Sequence, residues 1–368
     1  MLDSTLVLSR APGPIAKWPL ASGATALGSV LTPSLLEPST VHFVLSPDQT
    51  ESDNDKWKIS ARARIIRIMT RAWHISGGQT LPIGERTLVM GVLNVTPDSF
   101  SDGGEFLSLD SALAHAEQMI AEGADIIDVG GESTRPGGAA IVSPKEELQR
   151  VLPVIEQLAK RATIPISIDT TKALVARAAL DAGASVVNDI SALRFDSQIA
   201  DEAAKSGAGL VLMHSRGTPG ALHGLPPVAD IIEEVTNSLC SSIAVAEQRG
   251  VKRESIVIDP GIGFGKSQEQ NIELIAKFEQ LVAAFSDFPL LIGTSRKSFI
   301  GRILADHNGD LVPVEQRLHG SMASLTAAVL KGAHMVRVHD VKEAVDIVRV
   351  VDAIKSAEVA PNLLKHGR

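Results

Sequence analysis

The sequence predicts a (β/α)8 TIM barrel of the α/β class, preceded by a poorly ordered N-terminal extension. Short apolar runs alternate with helical patterns from Leu88 onward, and eight such units occupy about 270 residues. That size suits eight parallel strands that close into a barrel under a ring of helices. Each run also carries a conspicuous polar residue near its C-terminal end or just beyond it. A doubly wound open sheet is the alternative interpretation of the same alternation.

The eight apolar runs are the predicted strands. Their residues continue without polar alternation, which is typical of strands buried on both faces. The first run, LVMGVLNV, is broken by Thr96, Pro97 and Asp98, which end the strand. The runs are 88–95, 126–133, 166–170, 186–190, 209–214, 256–261, 290–296 and 335–340.

Capping signals mark the helices between the runs. Three helix starts carry Ser or Asp followed three residues later by Glu or Gln, the capping-box pattern. They are Ser143 with Glu146, Ser267 with Gln270, and Asp340 with Glu343, and Pro144 takes the first helical position of the first one. Glycines stand where C-terminal caps belong, at positions 123, 183, 207, 250 and 332.

Residues 1–68 differ in composition from the barrel region, 69–368. They contain six prolines and clusters of Ser, Thr and Gly without a sustained hydrophobic period, so we expect them to be poorly ordered or loosely docked. The run from Lys56 to Trp73 has six basic residues and no acid, which indicates a solvated face or, alternatively, an anion or partner site. A third interpretation is that the natural chain starts at Met69 and that the upstream segment is a gene-model artefact.

Composition excludes several classes of protein. The 368 residues, 44% of them hydrophobic with a mean hydropathy of +0.14, can bury a large core. The single cysteine, Cys240, excludes a disulfide framework within the chain and a cysteine-based zinc site. A pI of about 5.7 and a net charge of -8 argue against a general nucleic-acid binder. No apolar run reaches the ~18 residues of a membrane span and no signal peptide is evident, so we expect a cytoplasmic protein.

The segment after the first predicted strand has the character of an active-site loop. Asp98, Ser99, Ser101 and Asp102 surround a single aromatic residue, Phe100, and two glycines follow as hinges. The alternative is an ordinary strand-to-helix connection, since loops are commonly polar.

Polar residues stand at the C-terminal end of every predicted strand. In a closed parallel barrel these ends meet on one face, where such enzymes do their chemistry. Asn188 or Asp189, taken singly, has the simpler explanation of a helix cap. Recurrence at all eight strands favours a functional face. The residues are Asn94; Glu132, Ser133, Thr134 and Arg135; Asp169; Asn188 and Asp189; His214; Asp259; Ser295, Arg296 and Lys297; and Arg337 and His339.

The residue types on this face suggest a ligand with two different halves. One set offers charge-assisted donors for phosphate oxygens. The other offers mixed donors and acceptors, which suit an uncharged heterocycle with amide and amino edges. The first set is Arg135, Arg337, His339 and Arg296, and the second is Asp169, Asn188, Asp259 and Lys297.

The stretch PGIGFGKS at 260–267 imitates a nucleotide-binding motif. Pro260 stands where a P-loop requires its first glycine, and the third glycine falls one position early for a dinucleotide fingerprint. We therefore predict no nucleotide site there.

Eight segments, in order, resemble the dihydropteroate synthase family of the folate pathway. They are MGVLNVTPDSFSDGG at 90–104, DVGGESTRPG at 128–137, SIDT at 167–170, VNDI at 187–190, LMHSRG at 212–217, DPGIGFGK at 259–266, GTSRKSFIG at 293–301 and RVHDV at 337–341. The resemblance implies condensation of 6-hydroxymethyl-7,8-dihydropterin pyrophosphate with p-aminobenzoate, giving 7,8-dihydropteroate and pyrophosphate. It also implies Mg2+ as the metal and a homodimer. Residues 1–68 lie outside the family's pattern.

The resemblance also implies roles for individual residues. The pterin would be held by Asp169, Asn188, Asp259 and Lys297. The pyrophosphate would be held by Asn94, Arg135, Arg337 and His339, with Asn94 close to the magnesium. The p-aminobenzoate pocket would consist of Phe100, Thr134, Pro136, Phe264 and Ser298 together with Lys297. Asp98, Arg135 and Lys297 would be catalytic, and the loops that carry Asp98 and Arg135 would close over the site.

Two rival functions share part of this pattern. A pterin-binding methyltransferase barrel would hand a methyl group to a corrinoid protein, but methyl transfer would not need the TPDSFSDGG loop or the SRK segment. A non-catalytic pterin-binding module would not need the intact loop and anion residues. No Ser-His-Asp or Cys-His arrangement stands out, which agrees with a reaction that requires no strong enzymic nucleophile.

Overall fold

The computed structural model describes residues 71–96, 105–133, 142–218, 225–305 and 309–359. The predicted extension and its boundary at Met69 lie outside these ranges and stay predictions. The two loop segments with Asp98 and Phe100, and with Thr134, Arg135 and Pro136, also lie outside them. No helix among the described residues is both long enough and apolar enough to cross a membrane.

Strands and helices alternate along the described chain. The strands are β1 Arg71–His74, β2 Thr80–Ile83, β3 Leu88–Asn94, β4 Ile126–Gly130, β5 Ile166–Asp169, β6 Val186–Asp189, β7 Gly209–Met213, β8 Ile256–Asp259, β9 Leu291–Ile292 and β10 Met335–Val338. The helices are α1 Glu105–Ala121, α2 Pro144–Leu158, α3 Ala173–Asp181, α4 Ile199–Ser206, α5 Ile231–Gln248, α6 Gln268–Ala276, α7 Phe278–Ala284, α8 Ser298–Ile303, α9 Leu318–Leu330 and α10 Val341–Val359.

Strands β3 to β10 form a closed parallel barrel. Their order is β8-β7-β6-β5-β4-β3-β10-β9. A parallel bridge between Ile258 and Leu290 joins the two ends, and the amide of Ile258 donates to the carbonyl of Pro289 at 3.0 Å. The predicted barrel is confirmed, and the open-sheet alternative is wrong.

The core has two layers because successive strand residues face opposite sides of the sheet. In β3, Val89 and Leu93 belong to the large cluster between the barrel and the helices. Leu88 and Met90 belong instead to a smaller cluster inside the barrel. Each barrel strand is therefore apolar on both faces, which explains the unbroken apolar runs in the sequence.

An N-terminal hairpin, which the sequence analysis missed, completes the inner cluster. Strands β1 and β2 pair antiparallel, with Trp73 opposite Leu81. Trp73 is fully buried among inner barrel residues such as Met90, and its indole Nε1 donates to the carbonyl of Ser255 at 2.9 Å. The interpretation of the Lys56 to Trp73 run as a solvated face is therefore wrong at Trp73.

We predict that a chain shortened to begin at Met69 folds and turns over normally, whereas one that begins at Glu85 loses its cooperative thermal transition. The second truncation removes the hairpin and exposes the inner cluster.

The point variant Trp73→Ala should lower the free energy of unfolding by ~3–5 kcal/mol. Circular-dichroism melting and denaturant titration measure both effects. Loss of soluble, active protein on truncation at Met69 would show that the extension is part of the fold.

One of the three predicted capping boxes is complete, and a second shows one of its two bonds. The Ser143 hydroxyl accepts from the amide of Glu146 at 3.2 Å, and Ser267 and Gln270 form both bonds of a capping box. The carboxylate of Asp340 pairs with the guanidinium of Arg296, and its cap stays a prediction. The five glycines predicted to end helices all have positive φ, as a C-terminal cap requires.

Candidate active site

A cleft opens where the barrel strands end. Its empty space, open mouth included, is about 410 Å³. The strand ends bring together six of the predicted site residues, separated by up to about 150 positions in sequence. Those lining residues are Asn188, Asp259, Phe264, Lys297, Arg337 and His339, joined by Ile190, Met213, Ile262, Gly293 and Ser295.

Arg337 and Asn188, which line the cleft, belong to a network of polar and charged side chains. Arg337 donates from Nε to Asp128 Oδ2 and from Nη2 to Asp169 Oδ2, both at 2.6 Å. Asn188 donates from Nδ2 to the same oxygen of Asp128 at 2.9 Å. Burial alone would lower the pKa of Arg337, but the two carboxylates raise it above its usual value. Arg337 therefore stays charged and fixes the orientation of Asp169.

Asp128 is a site residue that the sequence analysis missed. Its side chain is fully buried on β4 and accepts from both Arg337 and Asn188. The available signal was a lone carboxylate inside the apolar run IIDVG, since an unpaired buried charge is costly. Asp128 is not a strand-end residue, because it precedes the end of β4 by two residues, so a search of strand ends does not find it.

The carboxylates and the ammonium of the cleft have unusual protonation equilibria. Burial raises the pKa of Asp259 to about 6, against a bond from the Gly261 amide, 2.7 Å away, that favours the charged form. Burial likewise raises the pKa of Asp169, while Arg337 opposes this shift. Burial, assisted by the charge of Arg337, lowers the pKa of Lys297 to about 8. These groups therefore titrate closer to neutral pH than exposed ones, as is common at functional sites.

Lys297 lies between the polar side chains of the cleft and the aromatic ring of Phe264. Its Nζ is 4.1 Å from the centroid of the Phe264 ring, in a cation–π contact. A side chain at Gly263 would come within 3.3 Å of Lys297 Cδ, and Gly263 has a φ of +88°. The positive φ favours glycine there, and a side chain would also press on Lys297. Ser298, predicted to adjoin Lys297 in the second pocket, is the first residue of α8.

Two of the predicted anion residues, His339 and Asn94, lie at strand ends, and Arg135 lies outside the described residues. The amide of His339 donates to Ser295 Oγ at 3.2 Å, and its Nδ1 lies 3.0 Å from the same oxygen. Asn94 ends β3. A Cβ at Gly130 would lie 3.9 Å from Asn94 Oδ1 and 3.5 Å from Asp169 Cβ, so both residues flank Gly130.

Arg296, predicted as a further anion donor, shapes the turn that presents Lys297. It has a φ of +56°, which is costly for a residue with a side chain. Its Nε donates to Asp340 Oδ2 at 3.0 Å, and its amide donates to Ser321 Oγ at 2.8 Å. Arg317 donates to its carbonyl oxygen at 3.1 Å. These contacts hold the unusual backbone, and the guanidinium is engaged with Asp340.

Other strand-end residues bond to neighbouring protein groups and stabilise the fold. Asp189 accepts from the amides of Ser191 at 2.8 Å and Leu193 at 2.6 Å in the turn after β6. It therefore stabilises that turn, and the helix-cap explanation is wrong, because α4 begins only at Ile199 with Gln198 as its N-cap. Its neighbour Asn188 reaches the cleft. Glu132 pairs with Lys172. His214 contacts Lys266.

The described residues contain no group of three or more His, Cys, Asp or Glu side chains that could hold a metal ion. Mg2+ usually keeps several waters and binds through one or two protein oxygens plus substrate phosphates. The amide oxygen of Asn94 could be such a protein oxygen when a phosphate-bearing ligand supplies the others.

Comparisons with known proteins agree with this geometry. The "Pterin binding enzyme" family matches residues 90–339. The dihydropteroate synthase of Synechocystis sp. is 49% identical over 278 residues, covering 75% of this chain and 93% of that protein. The Escherichia coli K12 dihydropteroate synthase is 48% identical over 272 residues, covering 73% and 92%.

Solved structures give the same result. A Clostridium difficile dihydropteroate synthase, determined in the presence of pteroic acid, has a TM-score of 0.68 and 47% identity, covering 74% of this chain and 98% of that one. A Xanthomonas albilineans dihydropteroate synthase with 4-aminobenzoic acid has a TM-score of 0.69 and 41% identity, covering 77% and 99%. The chain belongs to the pterin-binding enzymes and, among them, to the dihydropteroate synthases, transferases of folate synthesis.

Proposed function

We propose that this cleft condenses 6-hydroxymethyl-7,8-dihydropterin pyrophosphate with p-aminobenzoate and releases pyrophosphate. The observation that carries the proposal is a cleft lined by Asn188, Asp259 and Arg337. The carboxylates of Asp128 and Asp169 adjoin it through their bonds to Arg337 and, for Asp128, to Asn188. Relatives crystallised with pteroic acid and 4-aminobenzoic acid support it. The methyltransferase and binding-module alternatives have no such support.

The pterin ring binds to the buried polar side chains. Asp169 and Asp259 accept from ring amino and amide N–H groups, Asn188 supplies both a donor and an acceptor, and Lys297 donates to a ring acceptor. Because these groups are buried, any left without a partner would be costly, so the cleft selects a ring with a matching edge.

The pyrophosphate binds at the outer strand ends. Asn94 and His339 lie there, Arg337 supplies positive charge beside them, and Arg135 joins them from its loop. Asn94 would hold Mg2+ through its side-chain oxygen, and the ion would supply positive charge beside the leaving pyrophosphate.

The reaction needs a leaving group more than a nucleophilic side chain. The bond between the pterin methylene carbon and the bridging oxygen breaks, and its electron pair leaves with the pyrophosphate. Asp169 and Asp259 stabilise the resulting pterin cation through the ring. The lone pair of the neutral aryl amine then forms the new C–N bond, and the amine loses a proton.

The p-aminobenzoate pocket lies on the other side of Lys297. Phe264 forms its aromatic wall and Ser298 lies at its edge. Two loops complete the pocket, and a closed site excludes water from a reactive cation, which explains why loops are needed. The loop residues assigned to the pocket are Phe100, Thr134 and Pro136, and those that act when the loops close are Asp98 and Arg135.

We predict that His339→Ala weakens binding of the pterin pyrophosphate but spares the unphosphorylated pterin. His339 is assigned to the anion alone, and one charge-assisted hydrogen bond corresponds to roughly 10- to 150-fold in affinity. Titration calorimetry with each ligand makes the comparison. His319→Ala is the matched control, because His319 lies on α9 outside the residues that line the cleft. Equal losses for both ligands would remove His339 from the pyrophosphate site.

We further propose that the chain works as a cytoplasmic homodimer. Ile303, Leu304 and Leu311 are between 45% and 54% exposed around α8, and an apolar group of this kind suits contact with a second copy. The exposed Cys240 suits a reducing compartment. Light scattering of the purified chain tests the dimer, and a monomeric mass would contradict it.

A further inference from the structure

Lys266 is a buried amino group with no part in the chemistry described so far. Its Nζ lies 2.8 Å from the carbonyl oxygen of Gly261, 3.1 Å from that of Phe264 and 3.3 Å from that of His214. The His214 ring nitrogen Nδ1 is 2.9 Å away. Burial lowers the pKa of Lys266, whereas the charge of Asp259 opposes that shift. Four acceptors around one nitrogen favour the protonated form, which can donate three hydrogen bonds.

The His214 ring is suited to accept from Lys266. Burial, followed by the positive charge of Lys266, lowers the pKa of His214 to about 2, so the ring is neutral. A neutral imidazole has one nitrogen without a proton, and Nδ1 faces the lysine. The contact is therefore a hydrogen bond from Lys266 to His214, which ties the end of β7 to the segment after β8.

The bonds of Lys266 tie together the turn 260–265, which carries the aromatic wall of the cleft. The carbonyls of Gly261 and Phe264 accept from the same amino group, and the Phe264 amide donates to the Gly261 carbonyl at 3.2 Å. The Gly261 amide also donates to Asp259 at 2.7 Å. Lys266 therefore fixes the turn by bonding to two of its carbonyl oxygens, and the turn sets the position of the Phe264 ring against Lys297.

We propose that Lys266 is a positioning residue for the second substrate, one that sets the turn 260–265 so that the Phe264 ring lies against Lys297 and walls the p-aminobenzoate pocket. This inference rests on the proposed function, in which Phe264 and Lys297 contact that substrate. Lys266 touches neither substrate, and it acts through Phe264.

The test is steady-state kinetics of Lys266→Met, which keeps the length of the side chain and removes its donors. We expect the KM for p-aminobenzoate to rise about tenfold or more, while the equilibrium Kd for pterin pyrophosphate stays within about twofold. Leu274→Ala, a core change in α6, is the matched control for lost stability and should not raise that KM. His214→Phe removes one acceptor and should act in the same direction more weakly, which keeps the test open if Lys266→Met does not fold.

A double-mutant cycle with Phe264→Ala separates positioning from mere stability. If Lys266 acts through Phe264, adding Lys266→Met to Phe264→Ala should change the KM for p-aminobenzoate by less than about twofold. Additive effects, or an unchanged KM in both Lys266→Met and His214→Phe, would overturn the proposal. An unchanged KM in Phe264→Ala alone would instead overturn the assignment of Phe264 to the pocket.

Discussion

Replacing Asp128 by alanine should lower kcat/KM by roughly 10²- to 10⁴-fold, because two charge-assisted or buried hydrogen bonds of ~1.5–3 kcal/mol each are lost. Asp128 holds the guanidinium of Arg337 and the amide of Asn188 beside the cleft. Without it, Arg337 retains Asp169 as a carboxylate partner and Asn188 loses the group that orients it. We therefore expect the affinity for the pterin ring to fall together with turnover.

Asp189→Asn is the matched control for this change. Asp189 is also a fully buried carboxylate, on β6, but it accepts from amides in its own turn. Its replacement should lower the melting temperature and leave pterin affinity within a few fold. If Asp128→Ala and Asp189→Asn had equal effects on pterin binding in calorimetry, Asp128 would have no special role in the site.

Lys297→Ala and Asp98→Ala should fail in different ways. Lys297 lies between the polar side chains and Phe264, so its loss should impair pterin pyrophosphate binding as well as turnover. Asp98 is assigned to the closing loop, so its loss should leave pterin pyrophosphate binding within a few fold and lower kcat. One missing charge-assisted hydrogen bond corresponds to roughly 10- to 150-fold, so the two patterns are distinguishable.

Equilibrium binding of pterin pyrophosphate, measured with Mg2+ and without p-aminobenzoate, decides between these patterns. If the C–O bond breaks before the amine attacks, the barrel residues bind pterin pyrophosphate and stabilise the cation before p-aminobenzoate takes part in the reaction. Abolished binding in Asp98→Ala together with intact binding in Lys297→Ala would reverse the assignment of ring site and closing loop.

The barrel could be predicted from sequence because its strands are buried on both faces. Each strand gives an unbroken apolar run, and runs such as 186–190 and 256–261 extend only one or two residues beyond the strands that formed. The hairpin of β1 and β2 could not be found in the same way. Its strands are four residues long, and Trp73 follows a basic segment whose charge suggests exposure. Only packing against the barrel interior makes the hairpin stable.

The site was predictable to the extent that strand ends define it. Asn188 and Asp189 show the limit, because adjacent residues of one strand face opposite sides and the sequence does not say which side faces the cleft. Asp128 and Lys266 show a second limit. Their roles depend on partners that are 209 and 52 residues away in sequence, Arg337 for Asp128 and His214 for Lys266, and no local pattern encodes such contacts.

We propose that this cleft condenses the two substrates, and the stoichiometry of the products tests this function. The purified chain is mixed with dihydropterin pyrophosphate, p-aminobenzoate and Mg2+, and both pyrophosphate and 7,8-dihydropteroate are quantified. We expect equal amounts of the two products, formed only when both substrates are present, and formed roughly 10²- to 10⁴-fold more slowly by Asp128→Ala at low substrate concentration. Binding of both substrates without dihydropteroate formation would contradict it.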